Sequence, residues 1–143
     1  MSKSSDTRRL YREENQVLAL IPHINRQLSL GECQRWVSRI CSASRYEAPA
    51  VQFGPGVRHG NQMLSWNDGP TVELAPGERD FLTIAHESTH HWHPDHDAKF
   101  RRRYFKILRD YAGVDAYAAL RAAKIFGLGC IVTAFISSEW YLW

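Results

Sequence analysis

Five of the seven histidines lie between positions 86 and 96, in the run HESTHHWHPDH. His86 and His90 are four residues apart, so on a helix both imidazoles face one side and can bind the same metal ion. Glu87 is rotated by about 100° from His86, which leaves its carboxylate to act on a water as general base. The pattern therefore predicts a zinc site with hydrolytic chemistry.

A third ligand is needed to hold zinc while one coordination position stays open for water. Pro94 breaks the helix, and His96 lies beyond the break, where it can fold back toward the first two histidines. The resulting pattern, H-E-x-x-H-x5-H, is more specific than H-E-x-x-H alone. His91 is expected to face solvent or to pack behind the ligands, and His93 remains a competing ligand.

The first half of the chain must position this segment. Apolar residues at helical spacing predict a helix from about Thr7 to Ile21. A second helix is expected to begin after Ser29, which forms a capping box with Glu32, and to end near Ser44.

Short strands follow, separated by glycine- and proline-rich turns. They are Ala50–Phe53, Gln62–Trp66 and Thr71–Leu74, with a hairpin turn at Asn67–Pro70. These strands predict a small antiparallel sheet.

The histidine helix should start near Asp80 and end by His93. A further helix should follow around Phe100–Tyr111, and an alanine-rich helical stretch around Asp115–Phe126. The fold class is therefore α+β: N-terminal helices, a small antiparallel sheet or hairpin, the metal helix and C-terminal helices. We expect a single domain over residues 1–143, with residues 1–6 disordered.

Composition narrows the functional class. The 143 residues are 44% hydrophobic, enough for a core, and a net charge of +3 is well below that of a polybasic nucleic-acid binder. The polar N-terminus predicts no signal peptide, and the apolar stretch Ile125–Ile136 is shorter than the roughly 20 residues that span a bilayer. The three cysteines lack a C-x-x-C pair and are expected to be reduced core thiols, Cys33, Cys41 and Cys130.

The segment from Leu82 to Leu108 resembles the minimal zincin peptidases of the WLM and SprT-like type. The resemblance rests on LTIAHESTH at 82–90 and HPDHDAKF at 93–100, where a polar pair and a phenylalanine follow the third histidine. Upstream, RRLYREE at 8–14 and the hairpin before the metal helix are similar to small metallohydrolases of actinobacteria and their phages. Ser88 departs from the family, which usually has an apolar residue there.

The resemblance implies that His86, His90 and His96 bind zinc and that Glu87 is the catalytic base. It also implies that the strand Thr71–Leu74 lines the cleft and pairs with an extended peptide.

We therefore expect a zinc metallopeptidase that acts on proteins or peptides in the cytoplasm of a bacterial cell or phage-infected host, without a membrane partner. A basic cluster beside the site is either a solvated helix face or a weak nucleic-acid contact; it comprises Lys99, Arg101, Arg102 and Arg103. Tyr104, Tyr111 and Tyr141 are candidate oxyanion donors, though each is typical of a core aromatic residue.

Two alternatives stay open. In the first, zinc only staples helices in a non-catalytic binding or regulatory module, although such a site needs no base and usually has four protein ligands. In the second, the same residues hydrolyse a non-peptide amide. The aromatic tail Glu139–Trp143 is expected to pack on the domain or to form a dimer contact.

Overall fold

The structure, a computed structural model, describes residues 3–20, 22–42 and 47–112. They form α1 (Lys3–Leu20), a 3-10 turn (Pro22–Asn25), α2 (Leu30–Cys41), five short strands, α3 (Phe81–Thr89) and α4 (Ala98–Ala112). The α+β class is confirmed. The predicted helical stretch Asp115–Phe126, Cys130, Tyr141 and the aromatic tail lie outside the described residues.

The N-terminal helix starts earlier than the apolar pattern indicated. Residues 3–6 belong to α1 rather than to a disordered segment. Asp6 lies in the first turn, where a carboxylate interacts favourably with the positive end of the helix dipole. The polar character of these residues therefore suits a helix start.

The strands are β1 (Ala50–Phe53), β2 (Val57–His59), β3 (Gln62–Leu64), β4 (Trp66–Asn67) and β5 (Thr71–Leu74). The predicted hairpin is present, since β4 pairs antiparallel with β5 across the 67–70 turn. A second antiparallel pair, β2 with β3, forms its own two-stranded sheet.

The sheet departs from the prediction at β1. This strand pairs parallel with β5, from Ala50 opposite Thr71 to Phe53 opposite Leu74, so the three-stranded sheet is mixed. Its order is β1-β5-β4, which places β5 in the middle. The expectation that Thr71–Leu74 is an open edge for an extended peptide is therefore wrong, because strands occupy both sides of β5.

Glu73 joins the pieces of this sheet. Its carboxylate accepts hydrogen bonds from Gln52 Nε2 at 2.7 Å, from the Gly56 backbone N–H at 2.8 Å and from Trp66 Nε1 at 3.1 Å. These donors, Gln52 first, hold the pKa of Glu73 below its ordinary value. One side chain on the central strand thus fixes both neighbouring strands and the segment after β1.

The described residues divide into two compact units. In the unit Asn25–Trp92, α2 packs on α3 and on β1, and the rings of Trp36 and Phe81 meet edge to face with centroids 4.9 Å apart. Ser29 caps α2 with the predicted capping box to Glu32. Cys33 and Cys41 are free and buried on this helix, and burial raises the pKa of each thiol to about 11.

The second unit contains α1 and α4. Its buried apolar residues come from both helices and include Leu10, Phe100, Tyr104, Phe105, Ile107 and Leu108. Glu13, only 2% exposed, accepts two hydrogen bonds from the Arg101 guanidinium, at 3.1 and 2.7 Å, and one from Arg9 at 3.2 Å. A buried carboxylate is tolerable in this core because it is paired and hydrogen-bonded.

None of the described helices is both long enough and apolar enough to cross a membrane.

Candidate metal centre

The helix that carries the first two histidines has a defined start. The Asp80 side chain accepts a hydrogen bond from the Thr83 backbone N–H at 2.9 Å, which makes Asp80 the N-cap of α3. Burial raises the pKa of Asp80 above its ordinary value, against the opposing effect of the Thr83 N–H. Residues 84–89 of this helix are all buried.

His86 and His90 lie on the same side of this segment. His90 is the C-cap residue and keeps right-handed helical dihedral angles, φ −61° and ψ −15°, so the four-residue spacing still brings the two rings together. Their ring centroids are 5.1 Å apart with an angle of 62° between the planes. Two imidazoles at this separation can serve one ion.

The carbonyl groups at the end of α3 are satisfied by the following turn and by the sheet. Backbone N–H groups of residues 90, 91 and 92 donate to the carbonyls of His86, Ser88 and Thr89. The Glu87 carbonyl accepts instead from Asn67 Nδ2, at 2.7 Å. Each of the last four carbonyls of α3 therefore accepts a hydrogen bond. Pro94 prevents a helix from continuing further along the chain.

His96 completes a three-histidine cluster. One ligand nitrogen of His96, one of His86 and one of His90 all lie within 4.8 Å of one another. His96 Nδ1 is 3.0 Å from Thr7 Oγ1, and its ring contacts Phe100 and Tyr11 edge to face, with centroids at 4.9 and 6.0 Å. With Nδ1 engaged by the hydroxyl, Nε2 is the nitrogen that would bind a metal.

The donor set fits zinc. Three neutral imidazoles are a ligand set that zinc accepts, and three protein ligands leave one tetrahedral position for water or substrate. Glu87 is 7% exposed and adjacent to His86, but it is not among the three residues whose ligand atoms converge. The role of Glu87 as a general base stays a prediction.

His91 and His93 are not part of the cluster found among the described residues. Desolvation lowers the pKa of His91. Desolvation also lowers the pKa of His93, and the Arg103 charge adds to this effect, with Arg103 Nε 3.4 Å from His93 Nε2. Both imidazoles are therefore biased toward their neutral form, and neither joins the three converging ligand atoms.

Other residues singled out in the sequence have plain structural roles. Tyr104 is fully buried and stacks on Phe100 with ring centroids 5.9 Å apart, as a core aromatic does. Ser88 is fully buried, and its hydroxyl acts to lower the pKa of the Cys41 thiol on α2, against the burial that raises it. The polar residue behind the ligands is thus placed against α2.

Two residues of the basic cluster on α4 make contacts within the protein. Arg101 is held by Glu13, and Arg103 lies against His93. Lys99 is exposed and Arg102 is half-buried. A nucleic-acid contact through these four residues stays a prediction, and the Arg101 guanidinium is already bound to a buried carboxylate.

Sequence reasoning missed Thr7 and Asn67. The sequence of α1 offers no signal that Thr7 meets His96, because the two residues are 89 positions apart. Asn67 was recognised only as part of a turn, whereas its side chain also binds the metal helix.

Comparisons of the chain with protein-family models, curated proteins and solved structures give no match. The function must therefore be argued from the residues themselves.

Proposed function

We propose that this protein is a zinc-dependent metallopeptidase with His86, His90 and His96 as metal ligands and Glu87 as general base. The observation that carries the proposal is the convergence of the three histidine ligand atoms within 4.8 Å while Glu87 stays outside the ligand set. A closed structural zinc site would need a fourth protein ligand. Among the described residues, the cluster contains only three.

When bound, zinc would supply a Lewis acid that lowers the pKa of a water and polarises the scissile carbonyl. Glu87 then removes the proton from the attacking water and passes it to the leaving amine. Asn67 Nδ2 donates a hydrogen bond to the Glu87 backbone carbonyl, which holds the backbone that carries the base.

The substrate proposed is a protein or peptide, and hydrolysis of another amide would use the same residues. The cellular location proposed with this activity is the cytoplasm of a bacterial cell or a phage-infected host. The free, buried thiols of Cys33 and Cys41 support a reducing compartment.

The test combines metal content with hydrolysis. Zinc per chain is measured by elemental analysis in wild type, Glu87→Gln and His96→Ala, with His59→Ala as control because His59 is exposed on β2. We expect one zinc in wild type, Glu87→Gln and His59→Ala, and weakened zinc binding in His96→Ala. Cleavage of an unfolded protein such as casein should fall by roughly 10²-fold or more in Glu87→Gln, the typical contribution of general-base catalysis.

Two results would contradict the proposal. Full zinc retention in His96→Ala would mean that the ligand set is wrong. The non-catalytic zinc module would be favoured if wild type and Glu87→Gln both bind zinc but hydrolyse the substrate equally, or do not hydrolyse it at all.

A further inference from the structure

A pocket of about 530 Å³ opens beside His90 within the unit Asn25–Trp92. His90 and His91 form one side of it. Because His90 is also a proposed zinc ligand, a substrate held at the metal has this pocket next to it. The pocket is thus placed to receive a substrate side chain that neighbours the scissile bond.

The walls of the pocket are small and mostly apolar. Ala48, Ala50, Gly69 and Pro70 line it, and none of these residues carries a long side chain that would fill the space. Walls of this kind contact the methylene groups of a long, unbranched side chain.

Among the described residues that line the pocket, Glu47 is the only one with a formal charge, and its side chain is exposed. The chain as a whole is positive, with a net charge of +3, so a lone carboxylate at this pocket is not simply part of an acidic surface. A carboxylate among apolar walls selects a cationic group at the end of an apolar stem, and it disfavours an acidic one.

The two walls are held in place by hydrogen bonds. Gln34 on α2 donates to the Pro49 carbonyl at 3.1 Å and accepts from the Val51 N–H at 2.8 Å, which fixes the segment that follows Glu47. The Ala50 N–H donates to the Pro70 carbonyl at 2.9 Å, joining that segment to the 67–70 turn.

The turn itself is fixed to the metal helix. Asn67 Oδ1 accepts from the Gly69 N–H at 2.8 Å, while Asn67 Nδ2 binds the Glu87 carbonyl. The pocket is therefore pre-formed relative to α3, and a ligand does not have to order its walls.

The geometry points to a specificity pocket in which Glu47 selects a lysine or arginine side chain of the peptide substrate. The inference rests on the proposed peptidase function and names its substrate class. The cationic head binds the Glu47 carboxylate, and the aliphatic stem lies along Ala48, Ala50 and Pro70. A large apolar side chain is the alternative occupant that the test must separate.

The experiment uses two sets of fluorogenic peptides, one set for each position that flanks the cleaved bond. Within a set, the peptides differ only at that position. That position carries lysine, arginine, norleucine, phenylalanine or glutamate. Norleucine is the matched control, because it has the aliphatic stem of lysine without the charge. Hydrolysis of these peptides is measured with zinc-loaded wild type, Glu47→Gln and Glu47→Lys. Binding is measured by fluorescence anisotropy, with labelled peptides of the same sequences.

In wild type, lysine and arginine should exceed norleucine in kcat/KM by about two- to fivefold, the range that an exposed ion pair supplies. The preference should fall as salt is raised, because an exposed pair is screened. In Glu47→Gln the ratio of lysine to norleucine should approach one, and in Glu47→Lys glutamate should replace lysine as the preferred residue. Asp68→Asn is the control for a general field effect, since Asp68 lies in the same turn without lining the pocket.

The outcomes distinguish a failure of this inference from a failure of the proposed function. Hydrolysis with no cationic preference, with an apolar preference, or with a preference unchanged in Glu47→Gln overturns the pocket assignment and leaves the peptidase proposal intact. No hydrolysis, but lysine-dependent binding in the anisotropy assay that is lost in Glu47→Gln, overturns the peptidase proposal and retains the pocket. Absence of both hydrolysis and lysine-dependent binding overturns both.

Discussion

The orientation of His96 depends on side chains of α1 and α4. His86 and His90 are set by the path of α3, whereas His96 lies outside any helix, two residues before α4 begins. Its ring is oriented by the Thr7 hydroxyl and by edge-to-face contacts with Tyr11 and Phe100. A hydrogen bond to the second imidazole nitrogen fixes the tautomer and direction of a metal-binding histidine.

Thr7→Val tests this orientation. Valine keeps the shape of the side chain and a similar helix propensity but removes the hydroxyl, so the His96 ring loses its partner at Nδ1. We expect the zinc affinity to fall by about tenfold, the lower end of the effect of removing such partners. Competition against a fluorescent zinc chelator measures the affinity.

Thr7→Ser is the matched control and should bind zinc much as wild type does, because it retains the hydroxyl. Equal zinc affinity in Thr7→Val and wild type would show that the neighbouring rings alone orient His96.

The metal helix is short, and both of its ends are fixed by side chains. Asp80 caps the start, and Asn67 caps the Glu87 carbonyl near the end. A helix of nine residues is unstable by itself, so capping and packing must hold it in place. The positions of His86 and His90 therefore depend on the sheet and the 67–70 turn as well as on the helix itself.

Asn67→Ala should destabilise the protein by roughly 1–3 kcal/mol, because the Glu87 carbonyl and the Gly69 N–H both lose a partner. Asn67→Asp keeps the acceptor for Gly69 but places a carboxylate oxygen against the Glu87 carbonyl oxygen. We expect Asn67→Asp to be at least as destabilising as Asn67→Ala at neutral pH, as measured by urea unfolding. Wild-type stability in Asn67→Asp would mean that the bond to the metal helix contributes nothing.

Asp80 gives a prediction about pH. Its folded-state pKa is raised by burial, so folding favours the protonated form, and the stability associated with that form is lost as pH rises through the folded pKa. Asp80→Asn keeps a cap acceptor without the charge and should equal or exceed wild type in stability at pH 7. The difference should vanish near pH 4, about the unfolded pKa of aspartate.

Asp80→Ala supplies the control, since it should lose about 1 kcal/mol of capping at both pH values. Urea unfolding at pH 4 and pH 7 measures all three proteins. A lower stability of Asp80→Asn than wild type at pH 7 would show that the charge of Asp80 is stabilising.

The sequence predicted those elements whose pattern is local. Helix α2 with its capping box, the β4–β5 hairpin and the spacing of the histidines each depend on neighbouring residues. The parallel pairing of β1 with β5 was missed, because a short apolar strand carries no sign of the direction of its partner. Strand β2 was missed because its three residues are all exposed and show no alternation.

At the scale of the whole molecule, the proposed metal binding would be linked to the stability of the fold. A ligand that binds only the folded state stabilises it by RT ln(1 + [L]/Kd), about 2.7 kcal/mol when zinc is at 100 times its Kd. The proposed ligands lie in an eleven-residue segment, 86–96, whose geometry depends on α3 and on Thr7. The unfolded chain lacks this geometry and should therefore bind zinc much more weakly.

We therefore expect zinc to raise the Tm of the wild-type protein by ~5–10 °C, the shift that this free energy gives in a domain of this size. Differential scanning fluorimetry in zinc, in magnesium and in a chelator measures it. Magnesium should leave the Tm near that of the chelated protein, because an all-imidazole set suits zinc and not a hard cation. His96→Ala should lose most of the zinc-dependent shift while His59→Ala keeps it; an unchanged shift in His96→Ala would place the stabilising metal at other residues.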